Sequence, residues 1–302
     1  MADVLTIGLL YPGEMGASFG RLLVARGMRV VTSLTGRSDR TIELSRDAGI
    51  VSLNSLAELA DESNVIVSLV SPAAAMEVAS EFCTVASQLP SSPLYIDANS
   101  IGPELKLSVA RQLARVKCDF VDGAINGLAK NLATSGTLFL SGTRAVEVAA
   151  LFGTAMHVSV LGDQPGQAAT MKMLLGGLSK GMCALFLELA LMAQRRAMLP
   201  QMLEACATIY PGVTAVIDRM LPTYSLHAER RATEMRELVQ TSRNTNMEPC
   251  IIDAIRRLHE QLALIPLSAA DGATVTSLIE RTEAGGLLAD GCPSVTHKPA
   301  AV

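Results

Sequence analysis

Lys172 lies in a long apolar stretch, LGDQPGQAATMKMLLGGLSKGMCALFLELALMAQRRAML, from Leu161 to Leu199. At 100° per residue, Gly176, Ser179 and Cys183 fall within about 40° of its direction. One helix face therefore carries one ionisable group among small side chains. Such a lysine either lines a cleft, where partial desolvation lowers its pKa and suits it to proton transfer, or reaches past glycine-thinned packing to water. A second group of residues could hold an anion. Gly8, Gly13 and Gly16 follow the apolar run Val4 to Leu10 and precede a helical pattern over 17–26. Tyr11, Pro12, Gly13, Glu14 and Met15 then form a strand-to-helix turn whose backbone N–H groups can cradle a pyrophosphate. Gly8 would make the tight turn, Gly13 admit the phosphates and Gly16 pack helix on strand.

A strand over 28–34 follows and ends in TGRSDRT, where an NAD-binding protein carries an acidic residue for the ribose 2′-hydroxyl. Thr35, Arg37, Ser38 and Arg40 offer hydroxyls and guanidinium groups instead, the chemistry that a 2′-phosphate requires. NADP(H) is the predicted cofactor. Arg40 also has Glu43 within reach as an ordinary helix-surface partner.

These groups need a scaffold. Apolar strands alternate with helical patterns from Val4 to Leu161, which predicts a parallel sheet covered on both faces. Ligands in such sheets sit at the carboxyl ends of the strands. The residues there are Val70-Ser71, Asp97-Ala98-Asn99-Ser100 and Asp122-Gly123-Ala124-Ile125-Asn126-Gly127. After Pro200 the pattern is helical throughout. The fold class is an α/β Rossmann domain followed by an all-α helical domain, with the stretch around Lys172 as one long helix belonging to both. The expected division is 1–163 for cofactor binding, 164–265 for substrate and dimerisation, and 266–302 as a short helix and flexible tail from Gly285.

Composition narrows the class. Of 302 residues 49% are hydrophobic and 18% charged, with a net charge of -4, so the chain is globular and nucleic acid is not its partner. Six cysteines stand far apart without a C-x-x-C pair, and the four histidines have no ligand spacing. No metal site is expected. Lys172, Lys180 and Glu188 interrupt the long helix too often for a membrane span, and the N-terminus lacks a leader pattern. The cytoplasm is the expected location.

Five motifs in order give the chain a resemblance. Ile7, Gly8, Gly13, Met15 and Gly16 match I-G-L-G-x-M-G around a two-residue insertion. DANSIGP, from Asp97 to Pro103, matches D-x-S-T-x-x-P, with Asn99 for serine and Ser100 for threonine. DGAINGL matches D-A-P-V-S-G-G, placing Asn126 at the serine and Gly127 at a glycine. GTLFLSGT follows from Gly136, and GQAATMKMLLG matches G-x-G-x-x-x-K-x-x-x-N. The chain resembles the β-hydroxyacid dehydrogenase family, which includes phosphogluconate dehydrogenase-like proteins. The resemblance covers roughly 4–185 and implies that Lys172 is the catalytic lysine. It implies a substrate site of Asn99, Ser100, Asn126 and Gly127. It also implies a cofactor site of Gly8, Tyr11–Met15, Thr35, Arg37, Ser38, Val70, Ser71 and Asn99. The family's asparagine four residues after the lysine is Gly176.

The implied activity is interconversion of a small carboxylate-bearing 3-hydroxy acid and its carbonyl form. The rivals are an imine reductase, which shares fold and cofactor but does not generally use this lysine, and a non-catalytic NADP-binding protein. Helices over 166–264 carry more apolar surface than one layer can bury, which predicts a homodimer. In the helix over 222–241, Ala228, Ala232, Met235 and Val239 form the apolar stripe. Arg230 has Glu234 as an i,i+4 partner, or else a guanidinium here reaches a substrate carboxylate.

Overall fold

The computed structural model describes residues 5–265 and 274–288. Its chain order begins β1 (Thr6–Leu10), α1 (Glu14–Val24), β2 (Arg29–Ser33), α2 (Asp39–Asp47), β3 (Val51–Leu53), α3 (Leu56–Glu62), β4 (Val65–Ser68), α4 (Ala75–Ala86) and β5 (Leu94–Asp97). It continues with α5 (Pro103–Arg115), β6 (Phe120–Asn126), α6 (Leu132–Ser135), β7 (Thr137–Ser141), α7 (Ala145–Phe152) and β8 (His157–Gly162). Every residue of β1, β4 and β5 is buried, as a strand covered on both faces must be. One apolar layer holds Phe19, Leu23 and Phe152, and the other holds Phe82, Tyr95 and Leu113.

The eight strands form one sheet in the order β3-β2-β1-β4-β5-β6-β7-β8. β1 has β2 on one side and β4 on the other, both parallel. The chain reverses its winding there, and the crevice at the carboxyl ends of β1 and β4 is the ligand position of such sheets. The expected all-parallel sheet stops at β6. β7 runs antiparallel to β6, and β8 parallel to β7. Residues 127–136, with one short helix, separate β6 from β7, and a parallel crossover needs more chain than that.

By internal contacts the chain divides into Met1–Lys172 and Met173–Val302. The division falls inside α8 (Gln167–Arg195), not ahead of it at 163/164. The reason is local: Gly166, Ala168 and Ala169 give their N–H groups to Asp122 and Ser141, which fastens the start of the helix to the sheet. At 1.5 Å per residue α8 is about 44 Å long. It stops short of Leu199, at Ala197 in the left-handed region (φ 56°).

The second unit continues with α9 (Leu199–Ile209), α10 (Pro211–Met220), α11 (Tyr224–Asn244), α12 (Cys250–Leu264) and α13 (Val275–Ala284). Its core gathers Cys183, Leu187 and Leu191 of α8 with Ile217, Tyr224, Leu258 and Leu278. Ala232, Met235 and Val239 are buried as the stripe on α11 predicts. Although the stretch is apolar almost all round, α8 is not buried on every side: Leu174, Leu178, Leu185 and Met192 are each more than half exposed. The tail expected from Gly285 starts later: residues 285–288 form a turn that buries Leu287 in this core, and the rest lies outside the described residues.

Candidate active site

The first turn leaves the sheet at Tyr11, which adopts φ 51° without being glycine. Gly8, expected at the tight turn, lies inside β1 instead, and a Cβ there would fall 2.5 Å from Ser63 Oγ and 2.6 Å from Ile66 Cδ1. Its lack of a side chain serves packing against α3 and β4. Gly13 does stand at the expected place. It is the N-cap of α1 with no side-chain cap bond, and a Cβ added to it would meet nothing within 4 Å. The amides at the start of α1 therefore face open space, which suits an anion. Gly16 packs at Pro12 and Leu69.

The loop after β2 meets this turn. The Arg37 guanidinium stacks on the Tyr11 ring, 3.7 Å from its centroid, a cation–π contact that holds the two strand ends together. Burial, followed by the Glu81 carboxylate that accepts its hydroxyl, pushes the Tyr11 phenol up. Thr35 Oγ1 donates to the Asn54 carbonyl, and Ser38 caps α2 by accepting the Thr41 N–H. Arg37 is thus the predicted 2′-phosphate group that projects a charge at the end of β2. Arg40 pairs with Glu14 at 3.8 Å rather than with Glu43, and so offsets the carboxylate nearest the α1 N-terminus. These groups fit a dinucleotide: α1 for the pyrophosphate, Arg37 and Tyr11 for the adenosine end.

On the other side of the switch point, Asn99 is 2% exposed. Its Oδ1 accepts the Val70 N–H at 2.7 Å and its Nδ2 donates to Ser68 Oγ at 3.0 Å. Its amide joins the ends of β4 and β5. Val70 is half-buried and Ser71 exposed beside it, and Ser100 is exposed next to Asn99. Asn126 and Gly127 are exposed at the end of β6. Gly127 has φ 138° and a Cβ there would lie 3.0 Å from Gly136 Cα, so the close approach of the two chains requires glycine.

Lys172 reaches this group. Its half-buried ammonium donates to Ser100 Oγ at 2.5 Å, so the structure joins the two residues that the sequence placed in separate motifs. The small-residue face beyond it behaves differently. Cys183 is sealed in the second unit's core, where burial raises its thiol. Lys180, two turns further along α8, is 8% exposed. It pairs with Glu234 at 2.8 Å and donates to the Gly176 carbonyl at 3.2 Å. Arg230 has the expected Glu234 contact at 3.7 Å, whereas Arg231 is buried over the Tyr224 ring at 4.0 Å.

Known proteins share the sequence pattern and the fold. Residues 4–152 match the NAD binding domain of 6-phosphogluconate dehydrogenase, and 193–262 match a domain of unknown function. A conserved protein of unknown function, described as structurally similar to 3-hydroxyacid dehydrogenases, is 28% identical with a TM-score of 0.69, covering 85% of this chain and 96% of that one. The chain belongs to the β-hydroxyacid dehydrogenase family. Its first unit is an NAD(P)-binding domain. The fold is shared with Mycobacterium tuberculosis 3-hydroxyisobutyrate dehydrogenase at 15% identity and TM-score 0.70, over 92% of this chain and 98% of that one. It is shared less closely with a Streptomyces aurantiacus imine reductase at 18% identity and TM-score 0.56, over 91% and 98%.

Proposed function

We propose that this family member is a cytoplasmic, homodimeric, NADP(H)-dependent oxidoreductase that interconverts a small 3-hydroxy acid and its 3-oxo form. The contact between Lys172 and Ser100 carries the proposal. When bound, the nicotinamide supplies hydride transfer. Lys172 moves the proton: as neutral amine its Nζ takes the hydroxyl proton during oxidation, and as ammonium it returns a proton to the carbonyl oxygen during reduction. The Ser100 hydroxyl, with its oxygen accepting from Lys172, keeps its own hydrogen for a substrate oxygen. Asn126 and the Gly127 backbone, exposed at the next strand end, would hold the carboxylate, while Asn99 keeps Ser100 in place. The amides of Gly13 to Met15, with Tyr11, Arg37 and Ser71, would hold the cofactor.

The similarity to an imine reductase supports a second reading, reduction of a C=N bond on the same scaffold. A panel of 3-oxo acids with NADPH, 3-hydroxy acids with NADP+, and cyclic imines with NADPH, followed by nicotinamide absorbance, separates the two. Turnover of an oxo or hydroxy acid that Lys172→Ala abolishes supports the dehydrogenase. Turnover confined to imines and indifferent to Lys172 gives the chain to the second reading.

A further inference from the structure

Four polar residues lie side by side across the middle of the sheet. Ser68 on β4, Asp97 on β5, Asp122 on β6 and Ser141 on β7 are successive register partners, and each has 0% exposure. Two carboxylates opposite each other on neighbouring strands repel, and a buried ion needs a partner. Lys106, also at 0% exposure, meets both needs. It comes from the buried stripe of α5, in line with Val109 and Leu113. Its ammonium donates to Asp97 Oδ1 at 2.8 Å, to the Asp97 carbonyl at 2.5 Å and to the Gly123 carbonyl at 3.0 Å. It stands 3.3 Å from Asp122 Oδ1.

Stability alone is a poor reason for such a cluster, because apolar residues of similar volume often serve as well or better. The row has a geometric consequence instead. Asp97 Oδ1 also accepts the Asn99 N–H, and Ser68 Oγ accepts the Asn99 amide. Together they fix the loop that ends in Ser100. At the other end, Asp122 Oδ2 accepts the Gly166 and Ala169 N–H groups and the Ser141 hydroxyl, while Ser141 Oγ accepts the Ala168 N–H. This anchors the first turn of α8, and Lys172 projects from the next turn.

We propose that Lys106 is a positioning residue: by holding Asp97 against Asp122 it sets the contact between Ser100 and Lys172. The proposal rests on Lys172 as the proton-transfer group, and its test has one arm independent of turnover. In the full chain, lysines are reductively methylated with ¹³C-formaldehyde, and the Lys172 resonance, assigned by its loss in Lys172→Arg, is titrated by NMR. Lys106→Met should shift the Lys172 midpoint by about half a pH unit or more, through its changed surroundings, while exposed Lys130 titrates as before. With the fastest 3-hydroxy acid of the panel, turnover should fall about ten- to hundredfold with KM within about threefold, the signature of misplacement rather than lost binding. Lys106→Met leaves two carboxylates facing each other, so Lys106→Met with Asp97→Asn, which removes the pair together, is measured alongside it. A folded variant with the parent's Lys172 titration overturns the proposal. Failure of both variants to fold also overturns it, since Lys106 is then a folding residue. A parent chain that turns over no acid defeats the proposed function and leaves the NMR arm to decide the positioning.

Discussion

In the proposed reaction Lys172 moves the proton and Arg37 selects the cofactor, and each role makes a separate prediction. Lys172→Ala should lower turnover by roughly 10²–10⁴-fold and leave NADPH affinity nearly unchanged, because the groups proposed to hold the cofactor follow β1, β2 and β4. Lys172→Arg should fail as well, since a guanidinium does not release its proton near neutrality. The fitting control is Lys130, which is exposed; Lys180 is unsuitable because it is buried against Glu234. Steady-state kinetics and NADPH titration read both effects, and a fully active Lys172→Ala enzyme would reduce the lysine to packing. Arg37 concerns cofactor choice. Arg37→Ala should erode the preference for NADP over NAD by about 1–3 kcal/mol, the worth of a charged hydrogen bond. Titration calorimetry with both cofactors checks this, and equal affinities in the parent chain would contradict it.

Among the elements, α11 and α12 meet through a polar contact that makes stability depend on pH. His259 Nδ1 lies 2.9 Å from the Ile255 carbonyl and Nε2 lies 3.2 Å from Tyr224 Oη. A carbonyl only accepts, so Nδ1 carries the hydrogen and Nε2 accepts from the tyrosine. Burial lowers the His259 pKa from 6.5 to about 4, and nearby Lys180 and Arg231 also oppose its charge. The folded state favours neutral histidine, so this contribution, roughly 3 kcal/mol, is complete above pH 6.5 and is lost as pH falls toward about 4. Urea unfolding at several pH values in this window should show the loss, and His259→Gln should flatten it; parallel profiles for the two proteins would refute the assignment. These elements were legible in the sequence to different degrees. The strands of the first unit and the apolar stripe of α11 follow from periodicity, because burial decides both. The reversal at β7 depended on loop length, which hydrophobic pattern does not register. Lys106 was visible as a lysine in the apolar stripe of α5, yet its partners come from β5 and β6 and only the fold unites them. Tyr11 was placed in the first turn, but its positive φ and its stack with Arg37 were not legible: glycine is the usual residue at positive φ, and Arg37 lies in another strand's loop.

At the scale of the whole molecule, the second unit leaves apolar surface uncovered. Leu174, Leu178 and Leu185 on α8 and Ile251 on α12 are 53%, 62%, 63% and 77% exposed. They border one groove of about 510 Å³ with Met182 and Met235. Contiguous exposed apolar surface of this kind marks an association face. α8 is also the one helix among the described residues with the length and hydropathy of a membrane span, so the face needs an occupant of definite identity. A second copy of the same face, related by a two-fold axis, would supply matching apolar side chains and close the assembly. A stable contact of that kind covers about 800 Å² on each partner. Light scattering at micromolar concentration should therefore give twice the 31.8 kDa chain mass. Leu178→Glu with Leu185→Glu places like charges in the contact and should shift the protein to monomer, with the first unit's NADPH affinity preserved. A parent chain that scatters as a monomer without detergent would rule out the dimer. A parent chain that sediments with lipid vesicles and elutes as a monomer would assign the face to a membrane.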